Sequence, residues 1–124
     1  MKLAQAFNKI KMNLYKQSII ILENSNLLRR TLDILKIKNY VGNYSVSEDN
    51  RKIYLEGYGQ NIKKIKGYSP FLKYNNKKLK TLIFTTLTKN SGVYLISCNK
   101  TPYVIDHVKA IEDNIGGVVI GYVE

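Results

Sequence analysis

One cysteine, one histidine, two prolines, three arginines and no tryptophan are what this 124-residue chain has least of, and the scarcities exclude several classes of protein. Cys98 alone cannot close an internal disulfide or anchor a cysteine-rich zinc site, and such sparing use of cysteine suits a reducing compartment. Cys98 and His107 together fall short of the three protein ligands that even an open catalytic zinc site takes, so no metal or other cofactor is expected. No apolar run exceeds four residues, as in Ile19-Ile20-Ile21-Leu22, where a membrane span needs about twenty. Walker loops, paired-glycine nucleotide fingerprints and HExxH stretches are all missing, so no small-molecule substrate is expected, and without a spanning run the chain is not expected to sit in a membrane.

Carboxylates are also few. Nine of them face 20 lysines and arginines, a formal net charge of +11, and the cations run through the whole chain. A field of that size attracts polyanions, which makes nucleic acid the first partner to consider and an anionic membrane surface the second. Hydrophobic residues at 44% and charged residues at 23% are those of a globular domain, and exclude a disordered tail or a collagen-like rod. Lys, Ile, Asn and Tyr together make up 55 residues, and their codons are AT-rich, which points to an AT-rich organellar or bacterial genome. Lys2 leads straight into an amphipathic pattern with no continuous apolar stretch, so no signal peptide is expected.

Apolar periodicity predicts a helix over 2–15, with Leu3, Phe7, Ile10 and Leu14 on one face. Ser18 to Leu22 reads as a covered strand. Ser25 is placed to cap a second helix that turns Leu28, Leu32 and Leu35 inward and Arg29, Arg30, Asp33 and Lys36 outward, with Lys36, Lys38 and Asn39 suited to its C-terminus. Val41–Val46 and Lys52–Glu56 read as strands joined by the turn Ser47-Glu48-Asp49-Asn50. Gly57-Tyr58-Gly59-Gln60 marks a boundary between a lobe over 1–60 and a lobe over 61–124. Beyond Pro70, the residues Leu79, Leu82, Ile83 and Leu87 fit a short helix, while Thr85, Thr86 and Thr88 fit a strand equally. Val93–Ser97 reads as a strand, Val104–Asp113 as a helix with Val104, Val108 and Ile111 on one side, and Val118–Val123 as the closing strand. The expected class is α/β (α+β) in two small lobes. A helix-strand-helix-hairpin forms the first, and the second is mainly β with a helix before its last strand.

A catalytic reading has to start from Cys98, Asp106, His107 and Glu112. A cysteine at a strand end is more often a small packed hydrophobe than a thiolate nucleophile, so no catalytic residue is assigned. Four segments mix basic, amide, hydroxyl and aromatic groups: Asn8-Lys9-Ile10-Lys11-Met12-Asn13, Ile62 to Tyr68, Phe71 to Lys78, and Ser97-Cys98-Asn99-Lys100. Lysine neutralises phosphate, amides and hydroxyls read base edges or the 2′-OH, and tyrosine stacks on unpaired bases. With three arginines there is no arginine-rich recognition helix, and the mixture favours RNA over DNA. Each tyrosine alone is more often core than contact.

Leu95-Ile96-Ser97-Cys98-Asn99-Lys100, followed after a short helix-length segment by Asn114-Ile115-Gly116-Gly117-Val118-Val119-Ile120-Gly121-Tyr122-Val123-Glu124, resembles the C-terminal signature of ribosomal protein eight of the small subunit, bacterial and organellar type. That family has a Ser-Thr-Ser-Lys-Gly turn and a final Gly-Gly-Glu strand ending in Tyr-Val. Gln5 to Asn13 is similar to its first helix and Ser25 to Lys36 to its second, and the match is poor between about 67 and 92. The resemblance implies a two-lobed protein without catalytic activity that binds the central domain of small-subunit rRNA, supports assembly and adjoins neighbouring small-subunit ribosomal proteins. It places Ser97, Cys98, Asn99, Lys100, Gly116 and Gly117 against RNA, with backbone-touching residues among Asn8, Lys9, Lys11, Asn13, Ser25 and Lys64. A remnant of a Ser-x-Pro-Gly-x-Arg-x-Tyr segment adds Ser69, Lys73 and Tyr74.

Several positions depart from the family. Cys98 and Asn99 stand where it has Thr and Ser, Thr101-Pro102-Tyr103 lengthens the loop where a Gly is usual, and Val118 replaces a Glu. These changes move the expected balance toward shape and phosphate contacts. With the codon bias, they lead to the expectation of an organelle-encoded protein of the mitochondrial ribosome in the matrix, with a plastid or the bacterial cytoplasm as the alternative. The competing functions are a free-standing RNA-binding regulator and a small Cys/His enzyme.

Overall fold

A computed structural model of the chain describes residues 3–13, 19–56, 62–74, 77–78, 81, 92–98, 103–113 and 115–124, and of residues 69–74 the backbone only. The expectations for Leu14 and Tyr15, for Gly57 to Gln60, for most of 75–90 and for Asn99 to Pro102 lie outside the described residues.

The apolar spacing noted at the N-terminus produces helix α1, Leu3–Met12, which buries Leu3, Ala6, Phe7 and Ile10 and leaves Asn8, Lys9 and Lys11 exposed. β1, Ile20–Glu23, alternates with Ile20 and Leu22 inward. α2, Asn26–Ile37, starts where the sequence indicates: the Ser25 Oγ accepts the Leu28 N–H at 3.1 Å, which satisfies one of the helix's orphan donors. It ends as expected too, with Asn39 in the left-handed region at φ 64. Ser25→Ala should therefore lower unfolding free energy by about 1 kcal/mol in urea titrations. β2, Tyr44–Val46, and β3, Lys52–Leu55, flank the expected turn, where the Asn50 N–H reaches the Ser47 carbonyl and Asn50 has φ 61. These three strands form an antiparallel sheet in the order β1-β3-β2.

The second sheet is also antiparallel, in the order β4-β7-β5-β6, with β4 Ile65–Tyr74, β5 Val93–Ser97, β6 Val104–Asp106 and β7 Gly117–Val123. β4 contains Pro70, which lacks the N–H an inner strand needs. The conflict disappears because β4 is an edge strand and Pro70 falls where its register with β7 shifts, between Gly67 and Leu72.

One prediction needs correcting. Val104–Asp113 is not a single helix: Val104–Asp106 is strand β6, and helix α3 spans His107–Glu112. Val104 and Ile105 are adjacent and both buried, one in each of two hydrophobic clusters, a strand arrangement that a single helix face cannot satisfy. Asp106 then caps α3, its carboxylate accepting the Lys109 N–H at 2.8 Å. Val108, expected on the buried side, is 46% exposed.

The two sheets lie on either side of residue 61, yet they share a core. Leu3, Phe7 and Ile10 of α1, Leu22, Leu32, Leu35 and Ile53 of the first lobe, and Leu95, Ile120 and Val123 of the second form one buried cluster. Helix α1 can lie against the second sheet because two register-paired glycines, Gly67 and Gly121, clear space for it. A Cβ on Gly67 would sit 2.7 Å from the Ala4 Cα, and one on Gly121 would sit 2.6 Å from the Phe7 ring. A second cluster on the other face of this sheet, Tyr94, Ile96, Ile105, Ala110, Val119 and Tyr122, is partly covered by Ile111 and Ile115.

Candidate nucleic-acid interface

Strand register brings together residues that lie far apart in sequence. Tyr74 pairs with Gly117 and Lys73 with Val118, and Val118 pairs in turn with Ser97 and Ser97 with Val104, so one cross-strand row spans the sheet. Gly117 is needed for the row to close: a Cβ there would lie 2.5 Å from the Ser97 carbonyl oxygen and 2.8 Å from Ile96 Cγ2. The missing Cβ of Gly117 thus lets β7 lie close to the β5 backbone. Cys98 continues the row into the loop before β6, where its N–H donates to the Tyr103 carbonyl at 2.8 Å. Ser97, Cys98 and Gly117 are half-buried and Gly116 is exposed, so this end of the sheet faces outward. Asn99 and Lys100 follow Cys98 outside the described residues, and for Ser69, Lys73 and Tyr74 only the backbone is described.

The remaining candidates sit elsewhere. Helix α1 crosses the sheet at Gly67 and Gly121, four residues from Gly117 along β7, or about 13 Å. On it, the Lys9 ammonium donates to the Ile21 carbonyl at 3.0 Å and the Asn13 amide donates to the Lys9 carbonyl at 2.7 Å. Lys9 and Asn13 thus have structural work beside any they do for a ligand, as does Ser25 at the cap of α2, while Asn8 and Lys11 are exposed. Lys64 is exposed at the far end of β7, where its backbone pairs with Glu124.

Tyrosine proves mixed. Tyr94 and Tyr122 are core residues with ring centroids 4.8 Å apart. Burial, and then the carboxylate of Glu124 that accepts its hydroxyl at 3.1 Å, raise the phenol of Tyr122 well above its usual range. Tyr103 instead is exposed, with the Arg30 guanidinium 4.8 Å above its ring. Helical spacing alone turns Arg30 outward on α2, and the family pattern makes Tyr103 part of a lengthened loop. The available signal was only that two of the three arginines are adjacent on α2.

Nothing here makes a Cys/His catalyst. His107 is buried, and its Nδ1 accepts the Tyr94 N–H at 3.2 Å, so the lone pair a general base would use is occupied. Desolvation lowers the His107 pKa below 6.5, and the nearby Lys38 ammonium adds to this against the pull of Asp106. Asp106 is drawn upward by burial, but the Lys109 N–H and the Lys38 ammonium at 3.3 Å outweigh it and hold the carboxyl below its usual value. Because the folded pKa of His107 is depressed, its contribution to stability is complete above the unfolded value of 6.5 and is lost as pH falls through the folded value. Urea midpoints should fall with pH below about 6.5, and His107→Gln should remove that part of the slope.

Among the described residues no group of three or more His, Cys, Asp or Glu could hold a metal, and no helix is long and apolar enough to cross a membrane. Charge is unevenly placed. The outer face of the first sheet exposes Ile19, Ile21 and Tyr54, with Ile21 paired to Tyr54, and the same strands and turn carry Glu23, Glu48, Asp49 and Glu56 beside Arg51 and Lys52. An apolar surface with an excess of carboxylates does not suit a polyanion.

The model of one protein family, described as ribosomal protein S8, matches residues 2–123. A small ribosomal subunit protein uS8 from Desulfurococcus amylolyticus is 30% identical over 116 residues, covering 86% of this chain and 83% of that protein. Both sheets, both long helices and the Ser97–Gly117 row lie within the matched span, and the chain belongs to the ribosomal protein S8 family as a structural, non-enzymatic constituent of the small ribosomal subunit.

Proposed function

We propose that this protein binds the central domain of small-subunit rRNA directly, through the outward end of its second sheet, and in doing so supports assembly of the subunit. The observation that carries the reading is the cross-strand row from Lys73 through Val118 to Ser97, with the Tyr74–Gly117 pair beside it and a glycine whose missing Cβ lets β7 meet the Ser97 carbonyl. A chain of +11 brings a strong field to that row, and the matched family supplies the context of a ribonucleoprotein particle. The residues proposed to touch RNA are Ser97, Cys98, Asn99, Lys100, Gly116 and Gly117, with Ser69, Lys73 and Tyr74 beside them. Asn8, Lys9, Lys11 and Asn13 contribute on and just after α1, Ser25 at the cap of α2, and Lys64 at the far end of β7. Neighbouring small-subunit proteins are the partners that suit the apolar and acidic face around Ile21 and Tyr54.

A mitochondrial ribosome is the proposed setting. The support is compositional: 55 Lys, Ile, Asn and Tyr residues, and a turn in which Cys98 and Asn99 stand where hydroxyl residues are usual.

Titrating a central-domain rRNA transcript tests the binding. If about six phosphates are neutralised, log affinity falls with log salt at a slope of roughly −5. A slope near zero overturns phosphate-led binding. Sedimentation of organelle extracts separates a ribosomal constituent from a free-standing RNA regulator: the constituent migrates with the small subunit, and the regulator remains in a free pool.

A further inference from the structure

Tyr103 is a bulky aromatic residue held at φ 70, a left-handed conformation that such side chains rarely adopt. Strain of this kind persists only when the surroundings impose it, and it gathers at ligand-binding positions. The Tyr103 carbonyl accepts the Cys98 N–H at 2.8 Å, and Val104, the next residue, is buried in the shared core. From the other lobe, α2 places Arg30 over the ring at 4.8 Å, while Lys38, further along α2, pairs with Asp106 at 3.3 Å. Yet the strained conformation does not serve to bury the ring, which stays 44% exposed.

We infer that Arg30 and Tyr103 form a stacking site for one unpaired nucleobase, set beside the turn at Ser97 and Cys98. The inference rests on the RNA-binding reading above and adds to it a contact shared between the lobes and of a different kind. The chemistry is that of single-stranded RNA recognition. A phenol ring and a guanidinium plane both stack on bases, and the guanidinium also attracts the flanking phosphate. Paired bases keep their faces inside the helix and would not enter. The site depends on α2 packing against β6 across the lobes, where Leu32, Leu35 and Val104 share one buried cluster and Lys38 pairs with Asp106 at the same seam. The simpler role, in which the pair only braces one lobe against the other, is an outcome of the test.

Two probes are titrated at several salt concentrations: a transcript of the small-subunit central domain, with its loops and bulges, and a fully paired RNA duplex of about 20 base pairs. Tyr103→Gly removes the ring and relieves the left-handed strain, so its melting temperature is expected to equal or exceed that of the unmodified chain. On the transcript it should bind about tenfold more weakly with an unchanged salt slope, and on the duplex as before. Tyr103→Phe should bind both probes normally. Arg30→Lys, which keeps the charge and loses the planar group, should weaken transcript binding several-fold.

Unchanged transcript affinity for Tyr103→Gly, or an equal loss on both RNAs, overturns the stacking site. A lower melting temperature with intact RNA binding identifies a brace and overturns it too. Should Tyr103→Gly melt low and also bind weakly, Arg30→Lys decides: normal melting with weakened transcript binding supports the site, and normal binding refutes it. If the unmodified chain shows no salt-dependent affinity for either RNA, the RNA-binding reading itself fails, a result distinct from all the others.

Discussion

Gly67→Val is expected to lower unfolding free energy by about 3 kcal/mol, which for a chain of this length is a fall of roughly 10 °C in melting temperature. The atom in the way is the Ala4 Cα in the first turn of α1, 2.7 Å from where the new Cβ would stand, and a backbone atom cannot rotate aside as a side chain can. Either α1 lifts from the second sheet, uncovering Leu3, Phe7 and Ile10, or β4 bends away from β7. Gly121 offers an internal control. There the obstacle is the Phe7 ring, a side chain, so Gly121→Ala should cost less than Gly67→Ala, and Phe7→Leu should recover part of the loss at 121 but none at 67. Urea midpoints of the four variants check this. Equal costs at 67 and 121 would mean that α1 adjusts as a unit and that the paired glycines are not what seats it.

Gly117→Val should have the largest effect on RNA affinity, a loss of at least tenfold on the central-domain transcript. Its Cβ would meet the Ser97 carbonyl at 2.5 Å, so β5 and β7 must part at the end proposed to touch RNA. The damage should be local. Val118 and Ser97 would lose hydrogen-exchange protection, while Leu22, Leu32 and Ile53, buried in the other lobe, would keep theirs. Binding is measured at low temperature, where the variant remains folded, with unfolding free energy followed in parallel. Normal RNA affinity in a variant whose strands have demonstrably separated would remove the Ser97–Gly117 row from the interface.

Much of the chain was legible without coordinates where local chemistry decides structure. The Ser25 cap, the left-handed Asn39 at the end of α2, the turn from Ser47 to Asn50 and the buried face of α1 all follow from neighbours within four residues. Val104 to Asp113 was misread because Val104 and Ile105 are held by strand pairing with β5, a partner several residues away, and helical spacing alone does not register that. The basic stretch before Gly67 likewise leads into an edge strand whose role depends on β7.

The candidate site divides in the same way. Sequence alone supplies the charge of +11, which suits a polyanionic partner, and the family pattern that singles out Ser97, Gly116 and Gly117. Which of those groups meet was decided by tertiary structure, since Ser97 and Gly117 are neighbours only because β5 and β7 pair, with a register shift between Leu95 and Ile96 that sets Ser97 opposite Val118. Arg30 and Tyr103 are more than seventy positions apart, and their contact exists because α2 packs against β6 across the lobes. Charge and capping are properties of residues and their near neighbours, so the linear order states them; register and packing are properties of surfaces that form only when the chain closes on itself.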